Sequence, residues 1–189
     1  MNTVTLNLDP IIRLTDNQFY QLCMANKDVS LELNSQGELI IMPPVGGESG
    51  RSESDLNFRV SLWNHQTKLG IVFSSSTIFQ LPNGAKRSPD VAWVKLERWE
   101  ALTPEERKKF PPLTPDFIIE LRSETDRLKT LQEKMQEYIE NGLLLGWLIN
   151  PQDQQIEIYK PGKPVEIVKM TEVISGEDIL PGFELQFDN

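Results

Sequence analysis

The sequence predicts an α/β domain, a mixed β-sheet with helices on its faces. Three observations carry this. The stretch from Pro115 to Pro151 reads as strand, turn, helix, strand, with apolar runs at 116–121 and 143–149 enclosing a helical pattern at about 126–141. That order and length suit a right-handed parallel crossover. Residues 70–94 instead carry short strands punctuated by Pro82-Asn83-Gly84, which reads as the antiparallel side of the sheet. Further strand patterns at 155–160 and 165–169, with Leu180-Pro181-Gly182-Phe183, complete it.

Taken in order, residues 1–10 are polar and Asn-rich, and residues 1–12 are expected to form a loose arm. Leu14-Thr15-Asp16 offers an N-cap for a helix running to about Asn26. Leu31-Glu32-Leu33, Gln36-Gly37 and Leu39-Ile40-Ile41-Met42 read as a hairpin turned at Gly37 and stopped by Pro43-Pro44. The loop Gly46-Gly47-Glu48-Ser49-Gly50 leads into a helix from about Ser52 to Lys68, whose apolar stripe holds Leu56, Val60 and Trp63 and also Glu53. Thr103-Pro104-Glu105-Glu106 starts a short surface helix in a charged, Pro-bounded excursion. No internal repeat or linker divides the chain, so one domain over 1–189 is expected, with a core at 31–185.

Composition narrows the function classes. With 28 acidic and 19 basic residues the net charge is −9, so attraction to nucleic acid or an anionic membrane needs a local basic groove or bound cations. The sequence contains no apolar run of membrane-spanning length and no secretory signal pattern, and a cytoplasmic protein is expected. One cysteine, Cys23, precludes an internal disulfide and lies in an apolar-periodic segment, as a structural thiol does. One histidine, His65, and one cysteine cannot build a zinc site of nitrogen and sulfur ligands.

The candidate chemistry is acidic. Asp90 stands just before the apolar strand 91–94 and Glu120 within the strand 116–121, so both can meet across neighbouring strands. Two such carboxylates suit Mg²⁺, which takes one or two from protein and fills its octahedron with water and phosphate. Read singly, Asp90 is also a turn residue and Glu120 a solvated strand end. Lys134 borders the apolar stripe of its helix beside Tyr138, where it either reaches toward the sheet or snorkels into water. Arg122 shares the strand face of Glu120 by period-two alternation, so a simple ion pair between them is the plain alternative.

Ser88-Pro89-Asp90-Val91, Phe117-Ile118-Ile119-Glu120-Leu121-Arg122-Ser123, Lys134 through Tyr138, and Gly146-Trp147-Leu148-Ile149-Asn150-Pro151 occur in an order that resembles one bacterial family. It is the Uma-two-type "putative restriction endonuclease" family, formerly a domain of unknown function, in the PD-(D/E)xK nuclease superfamily. The likeness runs from about Leu31 to Leu185. It implies a restriction-endonuclease-like fold, extended here by an N-terminal helix and β-hairpin, and a Mg²⁺- or Mn²⁺-dependent endonuclease acting on DNA. Asp90 and Glu120 match the family's metal-binding acids. The superfamily usually has Lys two residues after the second acid, where this chain has Arg122; Arg stabilises phosphate charge but keeps its proton near neutral pH. Some members supply the lysine from the next helix, and the resemblance assigns that role to Lys134 and a phosphate-clamp role to Arg122. Glu48 matches a position that can extend the metal shell; Glu53 is its alternative, and a solvated loop or helix-start acid is the plain account of each. The superfamily also implies a homodimer for double-strand cutting. A nuclease-like module that binds nucleic acid or protein without cutting is the alternative function.

Overall fold

The structure, a computed structural model, describes residues 3–9 and 11–187. In chain order its elements begin β1 (Val4–Leu6), α1 (Asp16–Ala25), β2 (Ser30–Leu33), β3 (Leu39–Met42), α2 (Gly47–Thr67), β4 (Gly70–Ser74), β5 (Phe79–Gln80), β6 (Lys86–Arg87) and β7 (Val91–Lys95). They continue α3 (Leu96–Glu100), α4 (Pro104–Lys108), β8 (Phe117–Leu121), α5 (Leu128–Glu140), β9 (Leu145–Asn150), β10 (Gln155–Tyr159), β11 (Glu166–Lys169), β12 (Ile174–Ser175) and β13 (Glu184–Leu185).

The expected mixed sheet is present with six strands in the order β11-β10-β9-β8-β7-β4. Only the β8–β9 pair is parallel, and α5 is its crossover. The remaining strands do not all join it. A second sheet in the order β1-β3-β2-β6-β5 holds the N-terminal hairpin, and β12 and β13 pair separately. The segment around Phe79 therefore leaves the main sheet, and Val4–Leu6 of the expected loose arm pairs with β3. Residues 1, 2 and 10 of that arm lie outside the described residues.

Local chemistry explains the boundaries. Thr15 caps α1 with a full capping box, its hydroxyl accepting from the Gln18 N–H while the Gln18 side chain accepts from the Thr15 N–H. Thr103 and Glu106 repeat the device at α4, behind Pro104. Gly37 turns the β2–β3 hairpin at φ +85°, a conformation costly for a residue with a Cβ. The helix expected from about Ser52 begins at Gly47, because Gly46 serves as its N-cap and the glycine-rich loop winds into its first turn. Glu48 is thus a first-turn acid, suited to the positive end of the helix.

Strand alternation divides the core into two layers. Phe117 and Ile119 point to one face of the main sheet, where they pack with Leu56, Val60 and Trp63 of α2 and with Trp147. Ile118 and Leu148 point to the other, against Met135 and Tyr138 of α5. Each fully buried aromatic or branched side chain contributes about 1.5–3 kcal/mol relative to exposure. Gly146 lets α5 lie close: a Cβ there would meet Met135 Cε at 2.6 Å and Leu143 Cδ2 at 2.8 Å. A third cluster, Phe19, Cys23, Leu31, Leu33 and Leu39, fastens α1 to the small sheet. Among the described residues no helix is long and apolar enough to cross a membrane.

Candidate functional site

Register brings the two acids together. Strands β7 and β8 are antiparallel with Val91 opposite Ile119, so one step further along places Asp90 opposite Glu120. Directly opposite residues share a face with Cβ atoms about 4.5–5.5 Å apart. Both belong to the parity of Ala92 and Ile118, the face covered by α5. Asp90 is half-buried, and its Oδ2 accepts a 2.7 Å hydrogen bond from the Leu121 N–H. Glu120 is buried.

The apolar stripe of α5, docked on the sheet by Met135 and Tyr138, delivers Lys134 to the same place. Its Nζ lies 2.8 Å from Glu120 Oε1 and 2.9 Å from Glu32 Oε1, with the side chain only 11% exposed. The snorkelling alternative is therefore not what the fold adopts. Tyr138, one turn on, donates its hydroxyl to Glu120 Oε1 at 3.3 Å.

Three further participants were not singled out as site residues from the sequence: Glu32, Arg87 and Glu137. Leu31 and Leu33 of β2 face the α1 cluster, so Glu32 between them faces α5. In the small sheet Leu33 pairs with Lys86, and one step further sets Glu32 opposite Arg87. Arg87 Nη1 bonds Glu32 Oε2 at 3.0 Å, and its Nε bonds Glu137 Oε2 at 2.6 Å. The Ser88 N–H donates to Glu32 Oε1 at 2.8 Å. The available signal was a carboxylate between two core leucines on a short strand. What it faced depended on how the small sheet docks.

Electrostatics follow from burial and these pairings. Burial pushes the Asp90 carboxyl well above the usual carboxylate range, and the neighbouring Glu120 adds to the rise, as does Glu53 more weakly. Glu120 is also raised by burial and by Glu32, although Lys134 opposes this. Glu32 lies below its ordinary value: burial would raise it, but Lys134, Arg87 and the Ser88 N–H outweigh that effect. Lys134 is raised, because Glu120 and Glu32 outweigh the cost of burying its charge. Among the described residues, Glu32, Asp90, Glu120 and Glu137 thus face two cations, Arg87 and Lys134.

Arg122 is placed differently. Its Nη1 bonds Asn150 Oδ1 at 3.1 Å and Asp153 Oδ2 at 3.0 Å, and its Nε bonds the Asp126 carbonyl at 3.3 Å. It staples the loop before α5 to the end of β9 and makes no ion pair with Glu120. Glu48 is exposed and contacts Arg51 at 3.4 Å. Glu53, half-buried further along α2, lines two cavities together with Asp90. The larger, about 1570 Å³, is also bordered by Glu32, Glu48, Arg87, Glu120, Arg122 and Lys134.

The donor set fits a hard divalent cation held by few protein oxygens. Among the described residues no cluster of three or more His, Cys, Asp or Glu forms a closed metal cage. Mg²⁺ needs only one or two carboxylates. Asp90 and Glu120 supply two on one face of the sheet, and the excess negative charge around them is what a cation would balance.

An acidic pair at the ends of neighbouring strands of the mixed sheet, with a lysine brought in from the crossover helix, thus forms the candidate site of this α/β fold. The chain belongs to the Uma2 family, whose model, described as "Putative restriction endonuclease", matches residues 16–188. The fold is similar to that of a protein from Anabaena variabilis ATCC 29413 whose crystal structure is titled a "putative nuclease belonging to DUF820", with a TM-score of 0.76 over 92% of this chain and 94% of that one. At 17% identity that likeness concerns the fold alone. No curated protein matches the sequence.

Proposed function

We propose that this protein is a divalent-metal-dependent endonuclease hydrolysing phosphodiester bonds in DNA. The observation that carries this reading is the convergence of Asp90, Glu120 and Lys134 beside one open cavity. Family membership supports the same class. Asp90 and Glu120 would hold Mg²⁺ or Mn²⁺, with Glu53 or Glu48 of α2 at the rim. When bound, the cation polarises the phosphodiester and supports attack by water.

The chain's own groups then have distinct tasks. Lys134, held protonated by its two carboxylate partners, offers positive charge and hydrogen bonds to the phosphate oxygens as negative charge grows on them. With its proton held that firmly, Lys134 serves as a charge stabiliser and not as a base. Tyr138 orients Glu120 by hydrogen bonding, and the Leu121 N–H fixes Asp90. Arg122 borders the cavity, but its guanidinium must exchange Asp153 for a phosphate before it can act as a clamp.

The acidic cavity rim, with Glu124, Glu133 and Glu140 among its residues, favours a second reading, a nuclease-like module that binds without cutting. Plasmid nicking separates the two. Purified protein with Mg²⁺ or Mn²⁺ is expected to nick supercoiled DNA, and Glu120→Ala is expected not to. Equal cleavage by both would assign the activity to another site or a contaminant. No cleavage by the unmutated protein would favour the binding module.

A further inference from the structure

The site borrows a residue from outside the main sheet. Glu32 is 2% exposed, yet it sits on β2 of the small N-terminal sheet, between Leu31 and Leu33 of the α1 cluster. Both of its oxygens are used. Oε1 accepts from Lys134 Nζ at 2.9 Å and from the Ser88 N–H at 2.8 Å, and Oε2 accepts from Arg87 at 3.0 Å. Arg87 continues to Glu137 at 2.6 Å, one turn beyond Lys134 on α5. A buried charge this fully partnered is rigid, and removing one member leaves the others uncompensated.

Lys134 consequently has two anionic partners, on different sheets. Glu120 cannot keep Lys134 to itself if it also binds a cation, whereas Glu32 contacts the ammonium from β2, a strand of the other sheet. We propose that Glu32 is a positioning residue for Lys134: it holds the ammonium at the site while Glu120 engages a metal. The small sheet is then part of the catalytic architecture and not only an N-terminal addition. This inference rests on the nuclease reading above.

A double-mutant cycle on the full chain tests it, with Glu32→Gln, Lys134→Met and the double variant measured for plasmid nicking under Mn²⁺ and for thermal unfolding. Glu32→Gln preserves shape and an acceptor oxygen while removing the charge. It is expected to lower kcat by about 10- to 100-fold, as loss of positioning does, while KM changes by less than about 2-fold. In the Lys134→Met background the same change should have no further effect on kcat. Unchanged kcat in the single variant, or an equal fold-loss with and without Lys134, would overturn the proposal. Should the glutamine variant not fold, Glu32→Asp keeps the charge and draws it back by one methylene; its smaller loss of kcat must likewise depend on Lys134. Absence of nicking by the unmutated protein would defeat the nuclease reading, and thermal unfolding would then decide the positioning itself. Glu32→Gln must lower Tm less when Lys134 is already gone, and equal losses in both backgrounds would overturn the inference.

Discussion

Lys134 and Glu120 are joined by a 2.8 Å ion pair across the gap between helix α5 and strand β8. The pair lies inside the protein, so each charge depends on the other. Truncating Lys134 leaves Glu120 and Glu32 buried without their shared cation. Lys134→Met is expected to lose about 3–5 kcal/mol of unfolding free energy, the cost of breaking a buried pair from one side. Urea denaturation checks this, and a loss below about 1 kcal/mol would indicate an exposed, weakly coupled lysine.

Asp90 predicts a pH dependence of stability. Its folded pKa is raised by burial and by Glu120, with Glu53 adding and Lys134 opposing, so the native state holds that proton more tightly than the unfolded chain. Its contribution is fully present below the unfolded carboxylate pKa and is lost as pH rises through the raised folded value. Metal-free protein therefore loses this contribution progressively as the pH rises above the ordinary carboxylate range. Asp90→Asn keeps an oxygen for the Leu121 N–H, and it should raise the metal-free Tm at pH 7–8 by about 2–4 °C per kcal/mol relieved. Thermal scans from acid to neutral pH should show a flatter profile for the variant. A lower Tm across that range would contradict the assignment.

Arg122 holds a loop. Its guanidinium joins Asn150, Asp153 and the Asp126 carbonyl, contacts that lysine's single ammonium cannot reproduce in the same fork. Arg122→Lys is expected to cost about 1–2 kcal/mol, as loss of charge-assisted bonds does, and to speed amide exchange in the loop at 122–127. If stability is unchanged while affinity for DNA falls, the residue acts as a phosphate clamp instead.

Gly146 sets how closely α5 approaches the sheet. A larger side chain must displace Met135 and Leu143, the residues that seat the helix carrying Lys134. Gly146→Val is expected to destabilise the protein by about 1–3 kcal/mol through overpacking, which urea unfolding would measure. An unchanged midpoint would show that the interface has slack.

Cys23 offers a chemical probe of folding. Burial pushes its thiol up to about 11, and it is 9% exposed in the α1 cluster. Native protein at pH 8 should react slowly with a thiol reagent and rapidly once unfolded. Fast reaction in the native state would mean that α1 detaches from the small sheet.

Much of this was legible in residue order. The crossover between β8 and β9, the Gly37 turn and both Thr caps follow from local patterns whose energetics lie within a few residues. Asp90 and Glu120 were readable as strand-end acids, while the α5 stripe placed Lys134 at its border and left open whether it turns to the sheet or to water. Glu32 was not readable as a site residue, because strand alternation gives its side and not what lies opposite. That depends on docking two sheets whose contact is distant in sequence. Arg122 misleads for a related reason. Period two aligns it with Glu120, but β8 ends at Leu121, and beyond that point the chain answers to Asn150 and Asp153. The division into separate sheets was likewise hidden, since β5 and β6 have two residues each and short strands carry little pattern.

In the proposed function Asp90 and Glu120 share one divalent cation. Crystals soaked in Mn²⁺ and measured for its anomalous scattering test this most directly. The prediction is one strong peak between the two carboxylates in the unmutated protein, lost in Asp90→Asn. A peak confined to the exposed acids of α2, or none at millimolar Mn²⁺, would contradict it.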